Sequence, residues 1–245
     1  MKHFFASIAW GTFIILMLGG MGASFHADGQ SARIVEDFET YSVGAIPNQW
    51  FRVNSKEDVR PAKDAMESGE RFEIREENGN KFARLYTNSE YIRFSQRNGK
   101  EFDWNLQAHP RLRWQWRALT LPDGASEKGE NDTGGAVYVT FGTDWLGRPK
   151  SIKYTYSSSL PVGTVVSFGP LKVIVADSAR EPRLGEWKTR TRHIVNDYKQ
   201  VFGEDPPNRP VSITISGDSD STGDESKVDI DDITLLPAHR AKHTQ

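Results

Sequence analysis

The segment RLRWQWRAL, from Arg111 to Leu119, alternates without a break. Leu112, Trp114, Trp116 and Ala118 share one parity, and Arg111, Arg113, Gln115 and Arg117 share the other. A period of two is the strand period, because successive side chains leave a strand on opposite sides. A helix would scatter both sets around its circumference. The segment therefore reads as a strand with one apolar face and one polar, basic face. Such a strand belongs to an antiparallel sheet with one side on a core and the other in water.

The same pattern spreads outward along the chain. In AVYVTFG (136–142), Val137, Val139 and Phe141 oppose Tyr138 and Thr140. In SIKYTYS (151–157), Ile152, Tyr154 and Tyr156 oppose Lys153 and Thr155. RIVEDFETY (33–41) reads as the first strand, LKVIVAD (171–177) as a buried one, and EWKTRTRHIV (186–195) as a polar one. VSITIS (211–216) and VDIDDITLL (228–236) read as the last two, paired in a final hairpin. Asn78-Gly79 sits between two alternating runs and predicts a hairpin, since both residues tolerate positive φ. Asn98-Gly99 predicts a second. One helix is expected in NDYKQVFGEDPP (196–207), with Asn196 as N-cap, Tyr198, Val201 and Phe202 as its apolar stripe, and Gly203 as its stop. Roughly ten short strands and one helix predict an all-β fold, an antiparallel β-sandwich of jelly-roll type, as one domain over 33–237.

The chain has 245 residues and a formal charge of −2, so no global field attracts nucleic acid or an anionic membrane. Seven Trp and 11% aromatic residues supply a core. Residues 1–24 begin with one Lys and then run apolar and uncharged from Phe4 to Gly22, which reads as a signal peptide or an N-terminal anchor. Gly22, Ala23 and Ser24 offer small residues for cleavage. Residues 25–32 read as a linker and 238–245 as a basic tail. The expected location is periplasmic or secreted, with membrane contact only through an uncleaved N-terminal segment. The absence of cysteine removes disulfides, thiolate zinc sites and cysteine nucleophiles, so stability must come from the core or a metal.

LRWQWRALTLPDG, AVYVTFG, IKYTYSSSLPVGT, LGEWKTRTRHIVNDYKQVFGEDPP and VSITISGDSDSTGDESKVDIDDITL follow one another in an order that resembles an uncharacterised family of exported bacterial proteins, a domain of unknown function. The resemblance brings no activity with it. The family tends to place a basic residue just before the VYV strand, where this chain has Ala136. More distantly, VEDFE, EWKTRTRHIVNDY and VDIDDITL resemble jelly-roll carbohydrate-binding modules, which often hold a structural calcium between first and last strands.

DSDSTGDESKVD, from Asp218 to Asp229, has the length of a twelve-residue calcium loop. Asp218, Asp220 and Thr222 take alternating positions, Gly223 the sixth, and Asp229 the last, with Asp224 inside the loop. Both flanks are strands, and the segment reads equally as a solvated turn. The resemblance implies a second grouping of Glu36 and Glu39 with Asp231 and Asp232. Calcium, as a structural ion, is the one cofactor expected.

If the tryptophans of RLRWQWRAL point inward, Arg113, Gln115 and Arg117 point out, as do Tyr138 and Lys153 on their own strands. Side by side, these strands would build one basic face suited to an acidic or hydroxyl-rich glycan, as planar arginine forks suit carboxylates. The alternative is the ordinary wet side of a sheet. Trp145, in the loop FGTDWLGRP, reads as a ligand anchor or as a cap on the core edge. His109 and His193 lack a local triad motif, and no metalloprotease, nucleophile-elbow or phosphate-loop motif is present. The sequence thus leans towards a non-catalytic module binding carbohydrate or a cell-envelope component. A polysaccharide-acting enzyme, with Glu36 and Asp232 as its acids, and an envelope protein-interaction module are the alternatives.

Overall fold

The computed structural model describes residues 31–238 apart from 56, 130, 131 and 182. The signal or anchor reading of 1–24, and most of the basic tail, lie outside the described residues. The strands in chain order are β1 (Arg33–Glu36), β2 (Phe51–Val53), β3 (Val59–Pro61), β4 (Glu70–Glu77), β5 (Asn80–Asn88), β6 (Tyr91–Arg97) and β7 (Arg111–Thr120). They continue as β8 (Gly135–Thr143), β9 (Pro149–Ser157), β10 (Val165–Phe168), β11 (Leu171–Ser178), β12 (Lys188–His193), β13 (Ser212–Asp218) and β14 (Glu225–Leu236), with helix α1 (Ile194–Phe202) before β13.

Two sheets face each other, as the alternation requires. The smaller runs β12-β7-β14-β5-β4, with β1 beside the second half of β14. The larger runs β10-β11-β9-β8-β13-β6-β2-β3. All pairings are antiparallel except β11 with β9. The architecture is the expected all-β sandwich with one helix.

The core joins the sheets through aromatic rings. Trp114, Trp116, Tyr154 and Tyr156 are fully buried, as their parity predicts. Trp114 meets Tyr154 and Trp116 meets Tyr156, each at 5.5 Å between ring centres, across the gap between sheets. The indole N–H of Trp116 donates to Asp177 at 2.6 Å, and the Tyr154 hydroxyl donates to Asp197 at 2.7 Å. Both acids also take arginines from β12: Arg190 binds Asp177 and Arg192 binds Asp197. The basic parity of β12 therefore turns inward at the sandwich edge, where buried carboxylates neutralise it. Gly135 marks a close approach of the two sheets, since a Cβ there would meet Val228 at 2.8 Å.

The local turn and cap signals are met in part. Asn78 and Gly79 both adopt positive φ, 55° and 81°, and join β4 to β5 as expected. Asn98-Gly99 makes a turn, but β6 pairs with β13 and β2 instead of a following strand. The helix starts three residues early, capped by His193, whose ring nitrogen accepts from the Asn196 N–H. Gly203 stops it at φ 76°. The expected final hairpin is absent: β13 belongs to the larger sheet and β14 to the smaller. The acid-rich stretch between them crosses from one sheet to the other.

Candidate functional site

A second crossing, between β7 and β8, divides the expected basic face. Strand β7 lies in the smaller sheet, and β8 and β9 lie in the larger. Arg113, Gln115 and Arg117 therefore project from one side of the sandwich, and Tyr138 and Lys153 from the other. The assumption that these strands are neighbours fails because β7 is followed by a passage to the opposite sheet.

On the larger sheet, register builds the outward face row by row. Val173, Lys153, Tyr138, Thr214 and Ser95 form one row across five strands. Val175, Thr155, Ala136, Ser216 and Arg93 form the next. Residues of opposite parity, including Ile152, Val137, Ile213 and Phe94, are in the core. Hydroxyls pair off across this face, Ser95 with Thr214 at 2.7 Å and Thr140 with Ser151 at 2.9 Å. The loop after β7 folds over one end: Ser157 donates to Glu127 at 2.6 Å and Ser159 to the Ala125 carbonyl at 2.8 Å.

Lys153 stands in the middle and is only 2% exposed. Its ammonium lies 5.5 Å from the centre of the Tyr138 ring, and the Arg93 guanidinium lies 5.4 Å from the same centre. Among the described residues, neither cation has a carboxylate or other acceptor in bonding reach. Asp218 feels the Lys153 charge but forms no ion pair with it. The hydroxyl of Thr155, next to Lys153 along β9, is buried and unpartnered. Ala136 pairs across from Thr155 in the same row. Trp145 is 89% exposed at the tip of the β8–β9 hairpin, so it caps no core edge.

The acid-rich crossing brings together part of the expected calcium loop. Carboxylate oxygens of Asp218 and Asp220 lie within 4.8 Å of each other and of one from Asp132, which lies outside the twelve-residue stretch. Asp132 sits in the covering loop, and its oxygens accept from the Ser221 N–H and from both the N–H and hydroxyl of Thr222. Burial alone would raise its carboxyl, but these bonds hold it below the usual range. Asp218 is pushed up to about 6 by burial, with Asp220 and Asp132 adding repulsion against the pull of Lys153. Thr222 is turned to Asp132. Asp224 is turned to the Asp123 and Glu225 N–H groups. Asp229 leaves the loop altogether: it is fully buried and takes both Arg84 and Arg117.

The second acidic grouping does not converge. Glu36 turns inward to Trp50, Tyr41, Gln96 and the Phe38 N–H. Glu39 accepts from the Lys81 N–H, while the Lys81 ammonium donates to the carbonyls of Glu39 and Tyr41. Asp231 accepts from Asn80 at 2.8 Å, and Asp232 from Gln115.

The smaller sheet's outward face has its own cleft of about 380 Å³. Gln115, Arg117, Asn80 and Asp231 line it, with Trp187 from the segment before β12. Arg113, at the far end of β7, is not part of it.

A family model described as Protein of unknown function (DUF3047) matches residues 62–234. No curated protein matches the sequence. Among solved structures, the family 11 carbohydrate-binding module of a cellulosomal cellulase of Clostridium thermocellum is similar at 11% identity and TM-score 0.41, over 87% of this chain and 98% of that one. An exo-beta-agarase is similar at 13% identity and TM-score 0.42, over 86% of this chain and 25% of that one. The family 30 carbohydrate-binding module of another Clostridium thermocellum cellulosomal cellulase is similar at 11% and 0.39, over 71% and 87%.

Proposed function

We propose that this chain, which belongs to the DUF3047 family, is an exported, non-catalytic β-sandwich that binds an acidic carbohydrate on the outward face of its larger sheet. One observation carries the reading: the Lys153 ammonium, with a buried stem and no protein anion in bonding reach, sits at the centre of a hydroxyl-lined face. A buried cation without a partner is costly, and a carboxylate or sulfate brought by a ligand offsets that cost. Arg93 supplies a second cation with a planar fork for the same anion. The Ser and Thr hydroxyls of this face are buried beside the cations, so the proposed contact rests on Lys153 and Arg93, both of which lie against the Tyr138 ring. Trp145 stands ready at the rim as an aromatic contact.

The test is retention on oligogalacturonate and on alginate fragments, with neutral cellohexaose as the comparison. Lys153→Ala and Arg93→Ala are each expected to lower affinity for the acidic chains at least tenfold, equivalent to about 1.4 kcal/mol. Binding is expected to weaken steeply with salt. Equal affinity in wild type and Lys153→Ala would remove this face as the site. Release of new chain ends during incubation would replace binding by catalysis.

Calcium enters the same proposal as a structural ion at Asp132, Asp218 and Asp220. These residues fit a hard oxygen-seeking cation: three carboxylates converge, and one buried oxygen of Asp218 has no hydrogen-bond partner. Bound calcium would hold the crossing to the covering loop, and it needs Asp218 ionised. Millimolar calcium is expected to raise the melting temperature at pH 7.5, and the gain is expected to fade as pH falls through about 6. Asp132→Asn should abolish the gain. An identical melting curve with calcium and with chelator would leave the three acids as a solvated cluster.

A further inference from the structure

We infer that the outward face of the smaller sheet carries a second saccharide site, one that takes a neutral, polyhydroxylated ring, in the cleft between Trp187, Asn80 and Gln115. This inference stands apart from the acidic site on the opposite sheet. Its volume of about 380 Å³ is at the small end of ligand pockets, which run from roughly 300 to 1,000 Å³.

The cleft differs from the other face in its charge. Its one arginine is already engaged: Arg117 gives Nε to Asp229 and Nη1 to Glu77, both at 2.7 Å. That guanidinium also lies 4.8 Å from the Trp187 ring centre and 5.1 Å from that of Phe82. No cation in the cleft is left to ask for an anion. Phe82 meets Trp187 edge to face, with centres 5.2 Å apart and planes at 76°. The indole is therefore fixed at low entropic cost, as a stacking surface requires.

The amides in the cleft are set in one direction. Asn80 gives its amide nitrogen to Asp231, and Gln115 gives its own to Asp232. Each amide then presents its oxygen as the free end. Among the described residues, no donor reaches Asn80 Oδ1 or Gln115 Oε1. Two fixed acceptors beside an immobilised indole call for a ligand that brings hydroxyl donors and an apolar ring face together. A sugar ring meets both needs, with C–H groups on the indole and O–H groups to the amide oxygens. Sites on opposite faces would let one molecule bridge two glycan chains, which raises retention on a polymer without raising affinity for a short oligomer.

The experiment is titration of the folded chain with cellohexaose, laminarihexaose and chitohexaose, read by the indole resonances of the seven Trp and by calorimetry. At least one hexasaccharide is expected to bind and to shift the Trp187 indole signal. Trp187→Ala is expected to weaken that binding at least tenfold. Asn80→Ala and Gln115→Ala, which leave the indole in place, are each expected to weaken it several-fold. Lys153→Ala is expected to leave it unchanged. Binding by none of the three sugars, or binding indifferent to Trp187→Ala and to Gln115→Ala, overturns the inference. Loss of neutral-sugar binding in Lys153→Ala would assign that binding to the other sheet and overturn it as well.

Discussion

Asp229→Ala is expected to lose about 3–5 kcal/mol of folding stability, the usual result of removing one side of a buried ion pair. The carboxylate is fully buried and holds Arg84 through two bonds of 2.7 and 2.8 Å and Arg117 through one of 2.7 Å. Those arginine side chains are only 18% and 12% exposed, so neither recovers full hydration when the anion goes. The hydrogen bonds that Arg84 donates to Asp229 hold its guanidinium pKa above the ordinary arginine value. Asp229 also joins three strands: Arg84 is on β5, Arg117 on β7, and Asp229 faces both from β14. Urea unfolding should show a lower midpoint with an unchanged slope. Position alone gave Asp229 a different role, as the last ligand of a calcium loop. The two roles separate cleanly: loss of an ion pair is the same in calcium and in chelator, whereas loss of a ligand appears only when calcium is present. A loss below 1 kcal/mol, or one confined to calcium buffers, would refute the ion-pair role.

This acid shows where sequence reading reached its limit. The parity of Trp114, Trp116, Tyr154 and Tyr156 gave the core, because a period of two assigns a face without knowledge of neighbours. Asn78-Gly79 gave its hairpin, because positive φ is a local requirement met by local residues. Parity cannot say which strands share a sheet. Tyr138 and Lys153 lie on the side of the larger sheet away from the core, buried there, whereas Arg113, Gln115 and Arg117 lie on the other sheet. Nothing in the chain between Thr120 and Gly135 announces that passage. Asp132 lay inside it, in a polar loop, with no alternation to mark it. Trp187 was hidden in the same way: it precedes a strand that reads as polar, and its value comes from Phe82 and Asn80, about a hundred residues upstream. The expected calcium ligands Glu39 and Asp231 are taken by neighbouring residues of the β4–β5 hairpin, Glu39 by the Lys81 N–H and Asp231 by Asn80, which only that hairpin brings to them.

Stability is expected to peak on the acid side of neutrality and to fall as pH rises towards 7. Asp231 is the main cause. Burial pushes its carboxyl up to about 7, and the charges of Asp232 and Glu39 push the same way against the hydrogen bonds from Asn80 and the Asp232 N–H. An acid raised in the folded state binds its proton more tightly there than in the unfolded chain. The unfolded chain gives up that proton near pH 4. Between about 4 and 7 the folded state therefore holds the extra proton, and each step of pH favours unfolding. Each pH unit is worth about 1.4 kcal/mol per proton, so this acid alone sets an upper limit of about 4 kcal/mol. Asp218, raised to about 6, adds to the same slope. Below pH 4 the sign reverses, because Asp132 is held below its usual range and its bonds are lost when it protonates. Asp231→Asn is expected to flatten the limb from 4 to 7 while leaving the acid limb intact. It gives up one acceptor, at a cost of about 1 kcal/mol that does not vary with pH. Unfolding midpoints taken every half unit from pH 3 to 8 separate the two effects. A wild-type profile flat from 5 to 7, or an Asp231→Asn profile as steep as wild type, would show that Asp231 keeps an ordinary carboxyl despite its burial. If the slope is present, neutral saccharide in the cleft should bind with a matching pH dependence, since Asp231 holds the Asn80 amide whose oxygen faces the sugar.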